Sequence, residues 1–397
     1  MIKRIVRKMD MIIKPKVKGF ICTTAHPYGC AENVKQQIAY VKGQAPIEGV
    51  KNVLVIGCST GYGLASRISL AFAGKANTLG IMFEKEPTER RCATAGYYNT
   101  KAFDEIASQE NLYAKTINGD AFSDEIKQQT IDVIKKDLGK IDMIVYSIAA
   151  PRRTKDGVTY SSVIKAIHDE FKNKNWDLVH NTITNASIPY ATEEEIANTI
   201  KVMGGEDWKE WIKALDKAGV LADEAKTVAY SYIGPVHTHA IYKNGTIGMA
   251  KNHLYATADE ITKEYGSKGI HAYVSINKAL VTQASSAIPV VPLYIALLYK
   301  VMKEKGIHEG CIEQMYRLFH DKMQGPDGVV VDESGFIRVD DWEMREDVQK
   351  EVAEHWESVT TENFRELADP DGYWDDFYKM FGFNFENVDY EEDIALV

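Results

Sequence analysis

The stretch KNVLVIGCSTGYGLASRISLAFA, residues 51–73, joins a buried strand to a helix through a glycine-rich turn. KNVLVIG (51–57) is a continuous apolar run that ends on glycine, which is typical of a parallel strand covered on both faces. YGLASRISLAFA (62–73) follows with small and apolar residues on one face of a predicted helix. This succession predicts the first unit of an alternating α/β fold.

The same alternation continues along the chain after this unit. Apolar runs at 77–84, 111–119 and 141–149 predict three further strands, and residues 124–139 have the apolar spacing of a helix that ends at Gly139. Repeated alternation favours a parallel sheet with right-handed crossovers and helices on both faces. We therefore predict an α/β fold, a Rossmann-like doubly wound parallel sheet with additional peripheral helices.

The pattern loosens after Pro151 and then resumes. Residues 152–190 are polar, and we expect an irregular excursion from the core there. The elements predicted beyond it are a helix over 193–219, strands over 226–234 and 270–277, a long helix between these strands, and apolar helices over 289–320.

The domain organisation follows from the absence of a linker rich in Gly, Ser or Pro. Residues 11–397 are predicted to form a single large Rossmann-type catalytic domain. Within it, 151–225 is the excursion and 285–397 is a helical substrate-side and C-terminal segment. Residues 1–10 are interpreted as an N-terminal extension, with Met11 as an alternative first residue.

Charge and hydropathy exclude several classes of protein. The chain has 397 residues and a net charge of −10, which argues against a nucleic-acid surface. Its acidic residues concentrate in the last 65 positions, where we expect solvated acidic helices. No apolar run approaches the ~18 residues of a membrane span, and the basic start lacks the apolar region of a secretory signal. We expect a cytoplasmic protein that binds neither nucleic acid nor membrane.

Cysteine and histidine spacing predicts no metal site. The five cysteines are widely spaced and form no CxxC motif, so neither a disulfide framework nor a zinc site is indicated. This usage fits a reducing cytoplasm. His237 and His239 are the histidines that lie closest in sequence, and no Cys or acidic ligand is placed beside them.

The turn VIGCSTGYGLA contains Gly57, Gly61 and Gly63 between a strand and a helix. Glycine permits a tight turn and a close approach of the backbone to a pyrophosphate at the helix N-terminus. The alternative is a strand-to-helix turn with no ligand.

Phe83 and Glu84 end the next strand, where a carboxylate can bind both ribose hydroxyls of adenosine and repel a 2′-phosphate. We therefore predict NADH as the cofactor, although three nearby basic residues could weaken this preference for NADH: Lys85, Arg90 and Arg91.

Two other strand ends are expected to meet the same cofactor. Asp120 and Ala121 follow the third strand and are placed to meet the adenine, whereas Ile148 and Ala149 end the fourth and are placed to line the cleft. Both assignments follow the rule that ligands bind at the carboxyl ends of parallel strands. Asp120 could instead be a helix N-cap.

The stretch AIYKNGTIGMAK (240–251) contains a candidate acid/base couple, Tyr242 and Lys251. An ammonium near a phenol lowers the phenol's pKa, which would make the tyrosine a useful general acid. An offset of nine residues puts the two on opposite faces of a continuous helix. We therefore predict that Tyr242 precedes a turn at KNGT and that Lys251 lies in the helix that follows. From spacing alone, the alternative stays open that these are a loop tyrosine and a surface lysine that never meet.

Five further stretches of the chain are distinctive: GCSTGYGLASR, KVMGGEDW, AYSYIGP, INKALVTQASSAIPVVPLY and KVMKEKGIHEGCIEQ. Together with the Tyr-x8-Lys spacing, they make the chain resemble the FabV-type enoyl-ACP reductase and trans-2-enoyl-CoA reductase family. The resemblance runs from about Met11 to near the C-terminus, and Tyr-x8-Lys distinguishes it from the shorter enoyl reductases of the short-chain dehydrogenase/reductase superfamily.

The resemblance implies NADH-dependent reduction of trans-2-enoyl thioesters of CoA or acyl carrier protein. It implies that Tyr242 is the proton donor, that Lys251 holds the nicotinamide ribose and that Tyr232 contacts the substrate. It also suggests a monomer. The residues that it implies for NAD binding are Gly57, Cys58, Ser59, Thr60, Gly61, Tyr62, Phe83, Glu84, Asp120, Ala121, Ile148, Ala149, Lys251, Val281, Thr282 and Gln283.

Several alternatives remain open from the sequence. Another short-chain-type NAD(P)-dependent carbonyl reductase would use the same couple, and a non-catalytic NAD-binding protein would keep only the glycine turn. AIPVVPLYIALLYKVM (287–302) is interpreted either as the wall of an acyl slot or as an ordinary buried helix. Trp208 and Trp211 are expected to be packing residues, and Cys58 a small buried residue rather than a nucleophile.

Overall fold

The structure is a computed structural model that describes residues 10–395. Asp10 and Met11 pair with Ala395 and Ile394 in a short antiparallel sheet that joins the two ends of the described chain. Asp10, the last residue of the predicted N-terminal extension, therefore pairs with the C-terminal strand. The rest of that predicted extension lies outside the described residues.

The regular elements alternate through most of the chain. The strands are β1 (Asp10–Met11), β2 (Val17–Lys18), β3 (Ile21–Cys22), β4 (Asn52–Ile56), β5 (Asn77–Met82), β6 (Ala114–Asn118), β7 (Ile141–Tyr146), β8 (Arg152–Lys155), β9 (Val158–Ser161), β10 (Phe171–Asp177), β11 (Thr182–Ile188), β12 (Leu221–Ser231), β13 (His271–Ile276), β14 (Phe336–Arg338) and β15 (Ile394–Ala395). The helices are α1 (Pro27–Lys42), α2 (Gly61–Ile68), α3 (Ala95–Gln109), α4 (Asp124–Val133), α5 (Glu193–Met203), α6 (Glu206–Lys217), α7 (Val236–His239), α8 (Thr246–Tyr265), α9 (Val291–Glu304), α10 (Cys311–Arg317), α11 (Glu346–Ser358), α12 (Phe364–Leu367) and α13 (Pro370–Lys379). Wider π-helical turns extend α2, α4 and α10.

The central sheet has seven strands in the order β14-β13-β12-β7-β4-β5-β6. Every neighbouring pair in it is parallel, as the apolar runs predict. Within this sheet, the chain enters at β4, continues outward through β5 and β6, and then returns to the other side of β4 as β7. The strand order therefore reverses between β4 and β7, which is where doubly wound folds bind their ligands.

Alternating side chains of β4 explain why both faces of the sheet are covered. Val53 and Val55 belong to a buried cluster with α1, α2, α3 and α10, whereas Leu54 and Ile56 pack on the other face with α4, α6 and α8. All four side chains are completely buried. Successive residues of a strand point to opposite faces, so a strand buried on both faces must be apolar throughout.

The two tryptophans of α6 are packing residues, as predicted. Trp208 and Trp211 are completely buried, and each satisfies its indole N–H internally. Trp208 donates to the hydroxyl of Thr227 at 2.8 Å, and Trp211 donates to the carbonyl of Ala121 at 3.1 Å. They therefore attach α6 to the sheet rather than to a ligand.

The excursion after Pro151 is regular, which corrects the expectation of an irregular segment. β8 and β9 form one antiparallel hairpin, and β10 and β11 form a second with seven paired residues on each strand. The polar alternation of these strands reflects half-buried faces, because an antiparallel hairpin can leave one face in solvent. Trp176 on β10 is the buried anchor of the second hairpin.

The helix predicted over 193–219 is two helices, α5 and α6, separated at Gly204 and Gly205. A Cβ on Gly205 would lie 2.2 Å from the hydroxyl oxygen of Thr257 on α8. The glycine pair therefore permits a close approach to α8, which a continuous helix with side chains at these positions would prevent.

The acidic C-terminal segment is not uniformly solvated, which corrects a second expectation. Glu343 is completely buried and Asp340 is 1 % exposed, although many of the other acids in this segment lie on the surface. Asp340 forms an ion pair with Arg338.

Within residues 10–395, no helix is long and apolar enough to span a membrane, and no group of three or more metal-ligating side chains is found.

Candidate active site

The glycine turn after β4 lies at the reversal of the strand order. Gly57 has φ +86°, and a Cβ there would lie 2.2 Å from the carbonyl oxygen of Ser147 at the end of β7. A Cβ on Gly63 would lie 1.9 Å from the carbonyl oxygen of Gly57. Both glycines are therefore required for the turn and for the packing of α2 on it. Thr60 is the N-cap residue of α2 but makes no side-chain capping bond, so the first N–H groups of the helix are available to an anion.

A cleft of about 580 Å³ opens beside this turn at the carboxyl ends of the strands. It continues past the turn toward Tyr299, Cys311 and Asp376. Of the sixteen residues predicted to bind the cofactor, the cleft is lined by Gly57, Ser59, Thr60, Gly61, Tyr62, Phe83, Glu84, Asp120, Ala121, Ile148, Ala149, Val281, Thr282 and Gln283. Cys58 and Lys251 do not line it.

Cys58 faces away from the cleft, into the packing between α2 and β5. Its thiol is fully buried 3.9 Å from a guanidinium nitrogen of Arg67, and burial raises the pKa of the thiol to about 11. Its backbone N–H is bonded to the carbonyl of Ile81. This position agrees with the interpretation of Cys58 as a small buried residue. The predicted contact between Cys58 and the cofactor is not supported by the lining of the cleft, because the thiol lies behind the glycine turn.

Glu84 is held in a fixed orientation at the end of β5. The hydroxyl of Ser59 donates to its carboxylate at 2.6 Å, and its backbone is bonded in both directions to the side chain of Asn118. Asn99 on α3 lies beside this group and was not identified from the sequence. It is 2 % exposed, its amide N–H donates to the carbonyl of Ser59, and its amide oxygen has no partner among the described residues.

Asp120 is not the N-cap of α4. Its carboxylate accepts a hydrogen bond from the N–H of Phe122 at 3.0 Å, whereas Ser123 caps the helix by accepting from Ile126. The side chain of Asp120 therefore shapes the turn between β6 and α4 and lines the cleft.

Tyr242 and Lys251 are separated by a turn, as the spacing predicts. α7 ends at His239, Tyr242 lies in the turn, and α8 begins at Thr246 and carries Lys251 in its second turn. A Cβ on Gly248 would lie 2.1 Å from the carbonyl oxygen of Lys243, so this glycine lets the turn pack against the start of α8.

The electrostatic coupling expected within this couple is not seen. The ammonium of Lys251 donates to the carbonyl of Tyr230 at 2.8 Å, and burial lowers the pKa of Lys251 to about 8. Burial and the charge of Glu343 raise the pKa of Tyr242 above its ordinary value. Tyr242 is thus a neutral phenol at physiological pH, which suits a donor of a hydrogen bond or a proton.

Tyr232 packs directly against Tyr242. Their ring centroids are 4.7 Å apart with an interplanar angle of 77°, an edge-to-face arrangement that is favourable for aromatic pairs. The hydroxyl of Tyr232 donates to the carboxylate of Glu343 at 3.0 Å. Sequence reasoning missed Glu343 because the contact spans 111 positions and this acid has no local pattern that separates it from its exposed neighbours.

The segment with Val281, Thr282 and Gln283 is anchored from two directions. The N–H of Val281 donates to the hydroxyl of Tyr299 on α9 at 3.3 Å, and the N–H of Thr282 donates to the hydroxyl of Ser285 at 2.9 Å. Most of α9 is completely buried, which agrees with the interpretation of 287–302 as a buried helix. Tyr299 is its residue that reaches the cleft.

Three family profiles match successive parts of the chain. Residues 12–89 match the "NAD(P)H binding domain of trans-2-enoyl-CoA reductase" and 91–324 match the "Trans-2-enoyl-CoA reductase catalytic region". Residues 331–394 match a profile described as "Enoyl reductase FAD binding domain".

The last of these segments does not fit FAD in this chain. Residues 331–394 carry 21 acidic and five basic side chains, a balance that would repel a diphosphate. Their strand β14 is an edge strand of the central sheet, and the glycine-rich strand-to-helix turn of this structure lies at β4 instead. No step of the reaction is therefore assigned to a flavin.

The relatives agree with the family profiles over almost the whole chain. The enoyl-[acyl-carrier-protein] reductase [NADH] of Flavobacterium johnsoniae is 57 % identical over 385 residues, 96 % of this chain and 97 % of that protein. The trans-2-enoyl-CoA reductase [NADH] of Ruminiclostridium cellulolyticum is 54 % identical over 388 residues, 97 % and 98 % of the two chains.

Solved structures give the same result. The Clostridium acetobutulicum trans-2-enoyl-CoA reductase in complex with NADH superposes with a TM-score of 0.95 at 46 % identity, over 97 % of this chain and 98 % of that one. The Treponema denticola enzyme in complex with NAD has a TM-score of 0.93 at 50 % identity, with the same coverage. The chain belongs to the family of trans-2-enoyl-CoA reductases and FabV-type enoyl-ACP reductases.

Proposed function

We propose that Tyr242 is the proton donor of this enzyme, that Tyr232 contacts the substrate and that Lys251 holds the nicotinamide ribose. The reaction is that of the family, the NADH-dependent reduction of trans-2-enoyl-CoA or enoyl-ACP thioesters to saturated acyl thioesters. The observation that carries the proposal is the edge-to-face contact between Tyr232 and Tyr242, which lies before the helix of Lys251.

NADH is the cofactor, and we propose that the cleft beside the glycine turn holds it. The free N–H groups at the start of α2 would meet the diphosphate, and Glu84 would accept hydrogen bonds from the adenosine ribose. The unpartnered amide oxygen of Asn99 lies in the same cleft and would accept a further hydroxyl. Bound NADH supplies the hydride that reaches C3 of the enoyl chain.

The protein's own contribution is electrostatic. As C3 of the substrate is reduced, negative charge develops on the thioester oxygen. A hydrogen-bond donor directed at that oxygen stabilises the transition state more than the ground state. Tyr242 provides such a donor, since its raised pKa keeps it protonated. Lys251 adds positive charge beside the cofactor as long as it stays protonated.

The test compares NADH oxidation with crotonyl-CoA by the native chain and by Tyr242→Phe. We expect the substitution to lower kcat by about 10²- to 10⁴-fold, the range typical of losing a general acid or an oxyanion donor. Tyr113→Phe is the matched control, because Tyr113 precedes the edge strand β6 and bonds to Asp137. An inert native protein, or a Tyr242→Phe variant as fast as the native one, would refute the proposal.

The same assay addresses the alternative of a carbonyl reductase. Acetoacetyl-CoA carries a ketone and no enoyl double bond, so an enoyl reductase should leave it unchanged while consuming crotonyl-CoA. The opposite preference would favour a short-chain-type carbonyl reductase. Parallel assays with crotonyl-CoA and a crotonyl-acyl carrier protein at equal concentration identify the preferred carrier.

We further propose that residues 11–397 act as one catalytic domain and as a cytoplasmic monomer. The excursion supports the single domain, because Thr246 at the start of α8 exchanges backbone and side-chain hydrogen bonds with Val163 and Lys165. Free cysteines, four buried and one half-buried, fit a reducing compartment. Light scattering coupled to size-exclusion chromatography tests the monomer, and a mass of twice 44.6 kDa would contradict it.

A further inference from the structure

Glu343 is a completely buried carboxylate that receives three hydrogen bonds, one of them from Tyr232 of the Tyr232–Tyr242 pair. One carboxylate oxygen, Oε1, accepts from the hydroxyls of Tyr232 at 3.0 Å and Tyr294 at 2.7 Å. The other, Oε2, accepts from the backbone N–H of Ala279 at 2.7 Å. Gln349 completes the group by donating to the carbonyl of Glu343 and to the hydroxyl of Tyr294.

These bonds determine what the hydroxyl of Tyr232 can do. A tyrosine hydroxyl has one proton, and an ionised carboxylate only accepts hydrogen bonds. The proton of Tyr232 is therefore directed at Glu343 and cannot also point at a substrate oxygen. Burial raises the pKa of Glu343, while the charge of Lys278 and the hydrogen bonds from Tyr294 and Ala279 act in the opposite direction and favour the ionised carboxylate.

We propose that Glu343 is a positioning residue that holds Tyr232 by its proton against the ring of Tyr242, so that Tyr242 alone donates to the thioester oxygen. The inference rests on the proposed function of Tyr242. It deepens that function by assigning the two tyrosines different roles: Tyr232 forms the wall that orients its neighbour, and Tyr242 is the donor.

The same carboxylate also reaches the cofactor side of the site. Ala279 lies at the start of the segment that continues to Val281, and the carbonyl of the preceding residue, Lys278, accepts from the hydroxyl of Tyr62. One oxygen of Glu343 therefore holds Tyr232, and the other holds Ala279 at the start of the segment that leads to Val281, Thr282 and Gln283. Loss of the carboxylate should affect the turnover step more than the initial capture of NADH, because the glycine turn and Glu84 do not depend on it.

A double-mutant cycle tests whether Glu343 acts through Tyr232. Tyr232→Phe and Glu343→Gln are each expected to lower kcat by between about tenfold and about 100-fold, the effect of misplacing a reacting group. The double variant is expected to be no slower than the slower single variant, because both substitutions act on the same contact between Tyr232 and Glu343. Losses that multiply in the double variant would overturn the proposal.

Glu343→Asp is the second variant, because it keeps the charge but withdraws the acceptor by one methylene. It should show the same lack of additivity with Tyr232→Phe, while the dissociation constant for NADH changes less than threefold in all five variants, the three single and the two double ones. Failure of both Glu343 variants to fold would also overturn the proposal, since the carboxylate would then have a structural role. Thermal unfolding reports this directly.

Tyr113 and Asp137 provide the matched control cycle, because they are a tyrosine–carboxylate pair with a 2.7 Å hydrogen bond away from the site. Tyr113→Phe and Asp137→Asn are expected to leave kcat unchanged alone and together. The native chain and Tyr242→Phe are assayed in the same series. If the native chain and Tyr242→Phe have the same kcat, the proposed function is refuted. If Tyr242→Phe is slower than the native chain but the losses in kcat at Tyr232 and Glu343 multiply, only the role of Glu343 is refuted.

Discussion

Replacing Glu84 by Ser should shift the enzyme's cofactor preference toward NADPH. The side chain is half-buried at the end of β5 and is held by the hydroxyl of Ser59 at 2.6 Å. A carboxylate fixed in this way cannot rotate away from a 2′-phosphate on the adenosine ribose. Glu84→Ser removes the negative charge and leaves a hydroxyl that can donate to a phosphate.

The magnitude follows from Coulomb's law. Two unit charges about 4 Å apart repel by about 1 kcal/mol in water and by about 4 kcal/mol at the effective dielectric of a protein surface. Since about 1.4 kcal/mol corresponds to a tenfold change, removing this repulsion should raise kcat/KM for NADPH by about 5- to 1000-fold. Loss of hydrogen bonds from a ribose to a charged acceptor, worth roughly 1.5–3 kcal/mol, should lower kcat/KM for NADH by about 10- to 150-fold.

The assay measures initial rates of NADH and NADPH oxidation with crotonyl-CoA for the native chain, Glu84→Ser and Glu86→Ser. Glu86 is an exposed acid two positions further along, so its variant controls for the change in net charge. An unchanged ratio of the two kcat/KM values in Glu84→Ser would refute the placement of Glu84 beside the ribose. A shift of equal size in Glu86→Ser would show that general surface charge, including that of Lys85, decides the preference.

Two further predictions concern the glycine turn and the pH dependence. Gly63→Ala should weaken NADH binding by more than tenfold in a fluorescence titration, because its Cβ would come within 1.9 Å of the carbonyl oxygen of Gly57 and displace the turn; unchanged affinity would contradict this. The value of kcat/KM should fall as the pH rises through about 8. Burial lowers the pKa of Lys251 to about 8, so the charge of Lys251 is lost above that pH. Tyr242 stays protonated over the same range because its pKa is raised. Lys278 also has a pKa of about 8, so the alkaline limb should persist in Lys278→Met; its disappearance there would assign the limb to Lys278.

The parallel sheet could be predicted from the sequence because its strands are apolar on both faces. A run such as VLVI in β4 has no polar position that would place it at a surface. The glycine turn after it marks the place where the strand ends and the helix begins. The same physical rule failed for β10 and β11. These strands are half-exposed, and their polar alternation of Lys, Asn and Thr resembles a loop until the cross-strand partner is known.

Part of the site could also be predicted, because its residues belong to local patterns. The cleft residues follow strand ends, and Tyr242 and Lys251 are separated by glycines that break the helix. Glu343 could not be found in this way. It lies in an acidic segment where most carboxylates are on the surface, and its role arises only when Tyr232 is brought to it across the fold.

The separation of Tyr242 from Lys251 has a consequence for how the site works. In a couple with an offset of four, both groups lie on one helix face and the ammonium acts directly on the phenol. Here the ammonium is bonded to the carbonyl of Tyr230, and the pKa of Tyr242 is raised first by burial and then by the charge of Glu343. A phenol tuned in this direction is a weak acid in the resting enzyme. In the proposed reaction, we expect Tyr242 to give up its proton, or to share it most strongly, only when negative charge develops on the substrate oxygen. If the proposed roles hold, the longer spacing separates two tasks, with Lys251 acting toward the cofactor and Tyr242 responding to the charge of the transition state.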